Sequence, residues 1–338
     1  MTVIGKETTQ WGVNPDAARV HRDALVWDDH AGFAPYPDLD LRFLERWLLS
    51  GASYLSVNVG WGVMTWDQTL RCAAHYRRWI ETHADSYVLA ERITDIRRAK
   101  KERKLAIAFD LEGADSLNKN VDLVSVYYQI GVRQMNLAYN KNSDYAGGCM
   151  DVDAPLSVLG RQVVTEMNRV GMVVDCSHTG YSSSMEIMEL SNKPVIFSHA
   201  NPKALWDHPR NIKDDQIIAC ARTGGVIGVN GASAFLADND CSPAAIAKNI
   251  KYIADLVGVN HVGIGIDSVI DPDEVVKFSK IYPECWPNVT LAEQQKKVFA
   301  QPEQLPRLTE ELLHSFVEDD VMNILGGNFE RVAAQIWR

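Results

Sequence analysis

The sequence of 338 residues predicts an α/β protein, a (β/α)₈ TIM barrel with extra helices at its C-terminal end. Three observations predict this class: eight short apolar runs, amphipathic stretches between them, and a length that suits one barrel domain of about 250 residues or more. Strands that alternate with helices indicate a parallel sheet, with a doubly wound open sheet as the alternative to a barrel. We therefore expect residues 1–338 to form a single domain.

Most of the predicted strands are near-continuous apolar runs, as expected when both faces of a parallel strand are buried. They are expected at 24–29, 53–58, 105–111, 132–138, 171–176, 194–198, 225–230 and 261–266. Helices are expected at 66–84, 89–102, 119–130, 156–170, 181–191, 213–223 and 242–257. Apolar residues at helical spacing support them, as in 156–170, where Leu159, Val163 and Met167 share one side. Two extra helices are predicted near 290–300 and 308–325.

Composition excludes several classes of function. The net charge is -10, and the only basic run, Arg97 to Lys104, is interpreted as a solvated helix face, so no nucleic acid partner is expected. No apolar stretch of about 20 residues predicts a membrane span. The six cysteines are scattered without a paired spacing, which is typical of a reducing compartment. With no apolar leader at the N-terminus, we expect a cytoplasmic protein.

Side chains that can bind metal follow five of the predicted strands. They are His30, Glu112, His178, His199 and Asp267. In a TIM barrel the C-terminal ends of the strands form one rim, where the active site lies. Imidazole and carboxylate are the ligands of zinc and similar divalent ions. One such residue alone would more often cap a loop, but five at one rim predict a metal site, in which Glu112 could bridge two ions.

The other histidines are expected to have no role at this rim. His261 begins the eighth predicted strand, so we expect it at the opposite end of the barrel in a structural role. His21, His75, His83 and His314 lie on or before predicted helices and are expected at the surface.

At these strand ends the sequence resembles the membrane (renal) dipeptidase family of the amidohydrolase superfamily. The resemblance runs from about residue 22 to the end of the chain. The segments that carry it are DLEGADSL (110–117), GVRQMNLAYN (131–140), LSVLGRQVVTEMNRVGMVVDCSH (156–178), PVIFSHANPKALWDHPRN (194–211), VGIGID (262–267) and LTEELLHSFVEDDVMNILGGNFERV (308–332).

The resemblance implies a zinc-dependent dipeptidase that hydrolyses a dipeptide or a dipeptide-like amide. Glu112 would bridge two zinc ions, His178 and His199 would bind one of them, and His30 would bind the other. Asp267 matches the family's aspartate at the end of the eighth strand, which acts as general base and proton shuttle. A homo-oligomer is consistent with the family.

The resemblance also implies how substrate binds. Arg210, in the segment DHPRN, matches the arginine that holds the C-terminal carboxylate, so we expect a small-molecule substrate with a free carboxylate. A planar guanidinium suits this task because it can bind a carboxylate through two hydrogen bonds. The alternative is that Arg210 forms a surface salt bridge.

The sequence departs from the family at the first strand. The family pattern is His-x-Asp, but here His30 is followed by Ala31 and Gly32, and glycine has no side chain to bind metal. By the two-residue period of a strand, Asp28 lies on the same face as His30. Either Asp28 or water takes the missing place, or the second metal binds weakly or not at all.

Two further departures concern the pocket. Tyr139 stands where the family has a histidine that stabilises the tetrahedral intermediate, and a phenol can also donate a hydrogen bond to an oxyanion. Ser268 and Val269 replace the usual Phe-Asp after Asp267. These changes keep two alternatives open: a divergent amidohydrolase that acts on a non-peptide small molecule, and a degenerate member without catalytic activity.

Overall fold

The computed structural model describes residues 11–287 and 289–338. In these ranges the strands pair in parallel, and their bounds are β1 Trp27–Ala31, β2 Tyr54–Trp61, β3 Tyr87–Leu89, β4 Leu105–Glu112, β5 Val132–Asn136, β6 Val173–Asp175, β7 Val195–Ile196, β8 Ile227–Val229 and β9 Val262–Ile264. They are joined in the order β7-β6-β5-β4-β2-β1-β9-β8, and a bridge from Phe197 to Ile227 closes the ring. The predicted (β/α)₈ barrel is confirmed.

Each of the eight predicted strands overlaps an observed barrel strand, but the prediction missed β3. This strand lies beside the first half of β4, whose second half pairs with β5. The prediction started a helix at residue 89, which is the last residue of β3. Three residues are too few to show a two-residue period, so the pattern of the sequence could not reveal this strand.

Helices surround the barrel in the expected alternation. Their bounds are α1 Pro15–Asp23, α2 Glu45–Leu49, α3 Trp66–Thr82, α4 Ile93–Glu102, α5 Leu123–Gln129, α6 Val158–Val170, α7 Tyr181–Leu190, α8 Asp214–Arg222, α9 Pro243–Val257, α10 Pro272–Ile281, α11 Leu291–Gln294, α12 Leu305–Leu313, α13 Glu318–Met322 and α14 Asn328–Ile336. All seven helices predicted between strands form. The helix predicted at 290–300 is a single turn, α11, and the one at 308–325 is split into α12 and α13. The prediction missed α1, α2, α10 and α14.

Aromatic side chains fill the end of the barrel where the strands begin. Trp27, at the start of β1, stacks on Tyr54 at the start of β2 with 3.8 Å between ring centroids. Phe329, from α14, also stacks on Trp27, with 6.3 Å between ring centroids. A Cβ at Gly263 would lie 2.5 Å from the Phe329 ring, so only glycine admits this contact. This apolar plug leaves the opposite rim, where the strands end, as the place for a site.

His314 is exposed as predicted, but the prediction that His21 lies at the surface is wrong. His21 is fully buried between α1, the Ser50 turn and α12. Its Nε2 lies 2.7 Å from the Ser50 carbonyl oxygen and its Nδ1 lies 2.7 Å from the Thr309 hydroxyl. A carbonyl only accepts, so Nε2 carries the proton and Nδ1 accepts from Thr309. Burial lowers the pKa of His21 to about 4.

This burial predicts a loss of stability in mild acid. The unfolded chain takes up a proton at His21 near pH 6.5, whereas the folded protein resists protonation down to about pH 4. The contribution of His21 to the free energy of unfolding therefore falls as the pH drops below 6.5, by about 2 kcal/mol at pH 5. We expect the free energy of unfolding in urea to differ less between pH 7 and pH 5 in His21→Gln than in wild type, by about this amount. His314→Gln is the control, since the His314 side chain is 67% exposed. An equal pH dependence in wild type and His21→Gln would refute the assignment.

Candidate metal centre

Five side chains converge at the rim of the barrel. One carboxylate oxygen of Glu112, at the end of β4, lies 3.0 Å from Nε2 of His178 and 3.4 Å from Nε2 of both His30 and His199. The Nε2 atoms of His178 and His199 are 3.0 Å apart. Asp267 joins the cluster through Oδ1, which is 3.8 Å from Nε2 of His30. The five residues that the sequence places at strand ends are thus brought together.

The backbone at this rim holds unusual conformations. His178, Asp267 and Asn140 have φ angles of 62°, 54° and 60°, which lie in the left-handed region. For residues other than glycine such a conformation costs on the order of 1–3 kcal/mol and persists only where the surrounding structure holds it. Strain of this kind concentrates at functional sites, and here it points two of the five side chains into the cluster.

Neighbouring polar groups orient two of the imidazoles. Nδ1 of His178 donates to the Asn140 side-chain oxygen at 2.7 Å, and Nδ1 of His199 lies 2.7 Å from the Ser198 hydroxyl. Ser198 donates its own proton to Asp175, so it accepts the proton of His199. Both Nε2 atoms therefore carry lone pairs that face each other across 3.0 Å.

His30 is oriented in the same way by a carboxylate. Its Nδ1 lies 3.4 Å from Oδ2 of Asp110, which also accepts a hydrogen bond from Ser56 at 2.7 Å. Its Nε2 is buried and has no hydrogen-bond partner. Burial opposes a charge on this ring, but the Glu112 and Asp110 carboxylates raise the pKa of His30 well above its usual range. The site thus attracts positive charge.

Two imidazoles of the cluster are neutral and Glu112 is ionised, as metal binding needs. Burial, with the nearby Arg210 guanidinium, lowers the pKa of His178 to about 3, so this ring is neutral. Burial likewise lowers the pKa of His199 well below its usual value. Burial opposes the charge on Glu112, but the three imidazoles outweigh it and hold its pKa well below the usual range. Burial raises the pKa of Asp267.

These residues fit a divalent cation. Four ligand atoms about 2.1 Å from one zinc ion are about 3.4 Å from each other in a tetrahedral arrangement. The separations of 3.0 to 3.8 Å in the cluster bracket that value. His30, Glu112 and His199 alone offer three atoms that all lie within 4.8 Å of one another. Facing lone pairs and an unpartnered buried Nε2 are costly without a positive partner, and a cation supplies one.

The structure excludes Asp28 as the substitute for the missing first-strand ligand. Its Oδ1 accepts from the backbone N–H of Ile266 at 2.9 Å, and its Oδ2 accepts from the Trp47 indole at 2.8 Å. The pairing of β1 with β2 is irregular between Asp28 and Ala31, so the two-residue period does not carry across to His30. The interpretation of Asp28 as a ligand is therefore wrong.

Gly32 has a steric role. A Cβ at this position would lie 2.0 Å from Oδ1 of Asp267 and 2.9 Å from its carbonyl oxygen. The Asp267 carboxylate thus occupies the space that a side chain at residue 32 would need. Asn230 donates to the other oxygen of this carboxylate at 2.9 Å and holds it in place.

Arg210 is buried, so the alternative of a surface salt bridge is wrong. The residue is 3% exposed, and its Nη2 donates to the carbonyl oxygen of His199 at 2.8 Å. Its Nε is buried without a hydrogen-bond partner. Within the described ranges, Arg210 forms no ion pair. The guanidinium therefore keeps capacity to bind an anion. Arg210 borders a cavity of about 280 Å³ beside His178.

Tyr139 forms part of a second, larger cavity over the cluster, of about 580 Å³. Its ring stacks on His178 at 4.4 Å between centroids and meets the edge of Trp61 at 5.2 Å. Among the described residues its hydroxyl has no hydrogen-bond partner. Trp286 and Phe278 continue this aromatic wall around Trp61, at 5.8 and 5.2 Å.

Sequence reasoning missed the residues that orient the cluster: Asp110, Asn140, Asn230 and Asp175. Some carried a signal. Asp110 lies two residues before Glu112 on one strand and so shares its face, and Asn230 is the last residue of a predicted strand, close to the positions that His30 and Glu112 take directly after theirs. Asn140 carried no signal, because it lies in a loop whose path depends on the rest of the fold.

A closed (β/α)₈ barrel with imidazoles and carboxylates gathered at its C-terminal rim is the arrangement of a TIM-barrel metal centre. Comparison with known sequences is more specific. The profile of the membrane dipeptidase family (peptidase family M19) matches residues 48–280, and the chain belongs to this family.

Individual relatives agree with this assignment. An uncharacterised dipeptidase of Schizosaccharomyces pombe is 29% identical over 231 residues, which are 67% of this chain and 56% of that protein. Dipeptidase tcpJ of Claviceps purpurea is 29% identical over 229 residues, which are 66% of this chain and 53% of that protein. The chain thus matches about half the length of these curated relatives.

Among solved structures, an amidohydrolase from Pseudomonas aeruginosa superposes with a TM-score of 0.87 at 28% identity, covering 95% of this chain and 99% of that one. A metallopeptidase from Rhodobacter sphaeroides, solved with a phosphinate mimic of the dipeptide L-Ala-D-Ala, shares the fold at a TM-score of 0.74 and 18% identity, covering 93% and 99%. Within the described residues, no helix has the length and apolar character that crossing a membrane requires.

Proposed function

We propose that the chain is a zinc-dependent dipeptidase that hydrolyses a dipeptide or a dipeptide-like amide. The observation that carries the proposal is the contact of one Glu112 oxygen with three imidazole nitrogens at 3.0 to 3.4 Å. Membership of the membrane dipeptidase family supports the same reaction.

His30, Glu112, His178, His199 and Asp267 would hold the metal, as one zinc ion or two. When bound, a divalent ion polarises the scissile carbonyl and lowers the pKa of a coordinated water to about 7. The protein's part is to keep the Nε2 lone pairs of His178 and His199 free and to hold the Glu112 and Asp267 carboxylates at the same point. The hydrogen bonds at Nδ1 of the imidazoles serve this purpose by fixing the tautomer of each ring.

Asp267 is the proposed general base. Its Oδ1 faces the cluster while Asn230 holds Oδ2, so the free oxygen can accept the proton that the attacking water loses. Burial raises the pKa of Asp267, which makes the carboxylate a stronger base than an exposed aspartate. The same oxygen can then donate that proton to the nitrogen of the leaving amine.

Tyr139 and Arg210 are the proposed substrate-binding groups. The Tyr139 hydroxyl would donate a hydrogen bond to the oxyanion of the tetrahedral intermediate. Burial, followed by the Glu112 charge, raises the pKa of Tyr139 well above its usual value, so the phenol keeps the proton it would donate. Arg210, with its unpartnered Nε, would hold the C-terminal carboxylate of the substrate.

Replacement of Asp267 by asparagine tests the proposal. We expect kcat toward a dipeptide library to fall by about 10²- to 10⁴-fold, the usual contribution of a positioned general base. Asp271→Asn is the control, because Asp271 is an exposed helix cap and asparagine caps a helix equally well. Unchanged turnover by Asp267→Asn would exclude this role.

A second candidate is hydrolysis of a non-peptide small molecule. The aromatic wall of a 580 Å³ cavity favours it, since this volume lies within the range of about 300–1,000 Å³ that is typical of drug-sized ligands. Turnover of simple dipeptides would count against this candidate. Protein that holds no zinc and stays inactive after zinc is added would instead indicate a degenerate member of the family.

A further inference from the structure

Lys297, in the larger cavity, has no carboxylate partner among the described residues. Lys297 lines this cavity and is half-buried. Across residues 11–287 and 289–338, no carboxylate forms an ion pair with its ammonium group within 4.0 Å. Burial lowers the pKa of Lys297 to about 8. A desolvated, unpaired ammonium group is unfavourable, and an anionic ligand would offset that cost.

Lys297 lies near the same aromatic ring as a second cation, Arg210. The ring of Phe235 lies 5.5 Å from its ammonium nitrogen and 5.9 Å from the guanidinium carbon of Arg210. His208 packs against the same ring at 4.9 Å. Burial, followed by the charges of Lys297 and Arg210, lowers the pKa of His208 to about 4. Two cations therefore lie near the Phe235 ring: Lys297 borders the larger cavity and Arg210 borders the smaller one.

The position of Lys297 relative to Arg210 and Asp267 indicates which part of a substrate it meets. Lys297 lies near the same Phe235 ring as Arg210, at 5.5 and 5.9 Å, and lines the same cavity as Asp267. Asp267 is proposed to protonate the leaving amine and Arg210 to bind the leaving residue, so Lys297 lies on the side of that residue. Arg210 is already assigned to the main-chain carboxylate of that residue, which leaves Lys297 for a second anionic group.

We propose that Lys297 is a specificity residue that binds the side-chain carboxylate of an acidic C-terminal residue, so that the preferred substrates are X-Glu or X-Asp dipeptides. This inference rests on the proposed dipeptidase function. It adds to that function the chemical class of the leaving residue.

Matched substrates test the inference. Ala-Glu and Ala-Gln have the same shape and differ in charge, and each is assayed with both configurations at the second residue. We expect wild type to show kcat/KM at least about 10-fold higher for Ala-Glu than for Ala-Gln in at least one configuration, since that factor corresponds to one modest ion pair. Lys297→Met should bring the ratio near one, mainly by raising KM for Ala-Glu, because this contact is made in the ground state as well as the transition state.

Two controls separate specificity from damage to the site. Lys297→Met should hydrolyse Ala-Ala within about twofold of wild type, because that substrate has no second carboxylate. Lys248→Met should keep the preference for Ala-Glu, since Lys248 is exposed and lines neither cavity. Wild type that hydrolyses Ala-Ala without preferring Ala-Glu would overturn the role of Lys297 alone, as would an unchanged ratio in Lys297→Met. Failure to hydrolyse any dipeptide would overturn both this inference and the proposed function.

Discussion

Replacement of Glu112 by glutamine is expected to abolish zinc binding and turnover together. The Glu112 oxygen contacts all three imidazoles of the cluster, and no other carboxylate in the described ranges does so. Glutamine keeps the shape but loses the negative charge. Mutation of residues that hydrogen-bond to metal ligands lowers metal affinity by about 10- to 100-fold. Loss of a direct ligand should therefore lower the zinc affinity by more than about 100-fold. Turnover should fall by about 10⁴-fold or more, because the activated water is lost with the metal.

The measurement is zinc content after dialysis against a weak chelator, with turnover recorded on the same sample. Glu102→Gln is the control, since Glu102 is on the surface at the end of α4, paired with Lys104, and carries the same change in charge. A Glu112→Gln variant that keeps the zinc content and activity of wild type would show that Glu112 is not a ligand. Loss of activity with zinc retained would instead limit Glu112 to a later step.

Replacement of Gly32 by aspartate is expected to disrupt the site, although it restores the side chain that the dipeptidase family carries there. The new Cβ would overlap Oδ1 of Asp267 and press on its backbone carbonyl. Asp267 already has a left-handed backbone, so it has little freedom to move away. We expect a loss of about 1–3 kcal/mol in the free energy of unfolding, as is usual for overpacking. Zinc affinity and turnover should each fall by about 100-fold or more, because both Asp267 and His30 would shift.

Gly32→Ala separates size from charge in this experiment. Alanine brings the same Cβ without a carboxylate, so a steric effect predicts that both variants lose zinc. The measurements are zinc stoichiometry by metal analysis and unfolding in urea. An aspartate variant that binds more zinc than wild type, while the alanine variant binds less, would show that residue 32 can act as a ligand and that the steric argument is wrong.

Much of the metal centre follows from the sequence because parallel strands of one barrel end at a single rim. A polar residue that follows a buried run is therefore delivered to the same place as its counterparts on other strands. This geometry alone brings His30, Glu112, His178, His199 and Asp267 together. The argument fails where a strand is irregular: the two-residue period put Asp28 beside His30, but the broken register between β1 and β2 turned it toward Trp47.

Long connections limited the prediction elsewhere. The segment from α10 to residue 299 carries Phe278, Trp286 and Lys297 over the site, yet no period in the sequence indicates where such a segment folds back. His21 is a similar case. Its helix is amphipathic, but the partner that buries it, Thr309, is 288 residues away along the chain.

The sequence by itself predicted the barrel, its eight strands and the five residues at their ends, because these depend on local hydrophobic periodicity and on a rule of parallel sheets. Only the tertiary structure decided that Asp267 fills the space left by Gly32, that Arg210 is buried beside His199, and that Lys297 lines the cavity without a carboxylate partner. These features depend on steric contacts and on the absence of an opposite charge nearby. Both arise only when distant parts of the chain pack together.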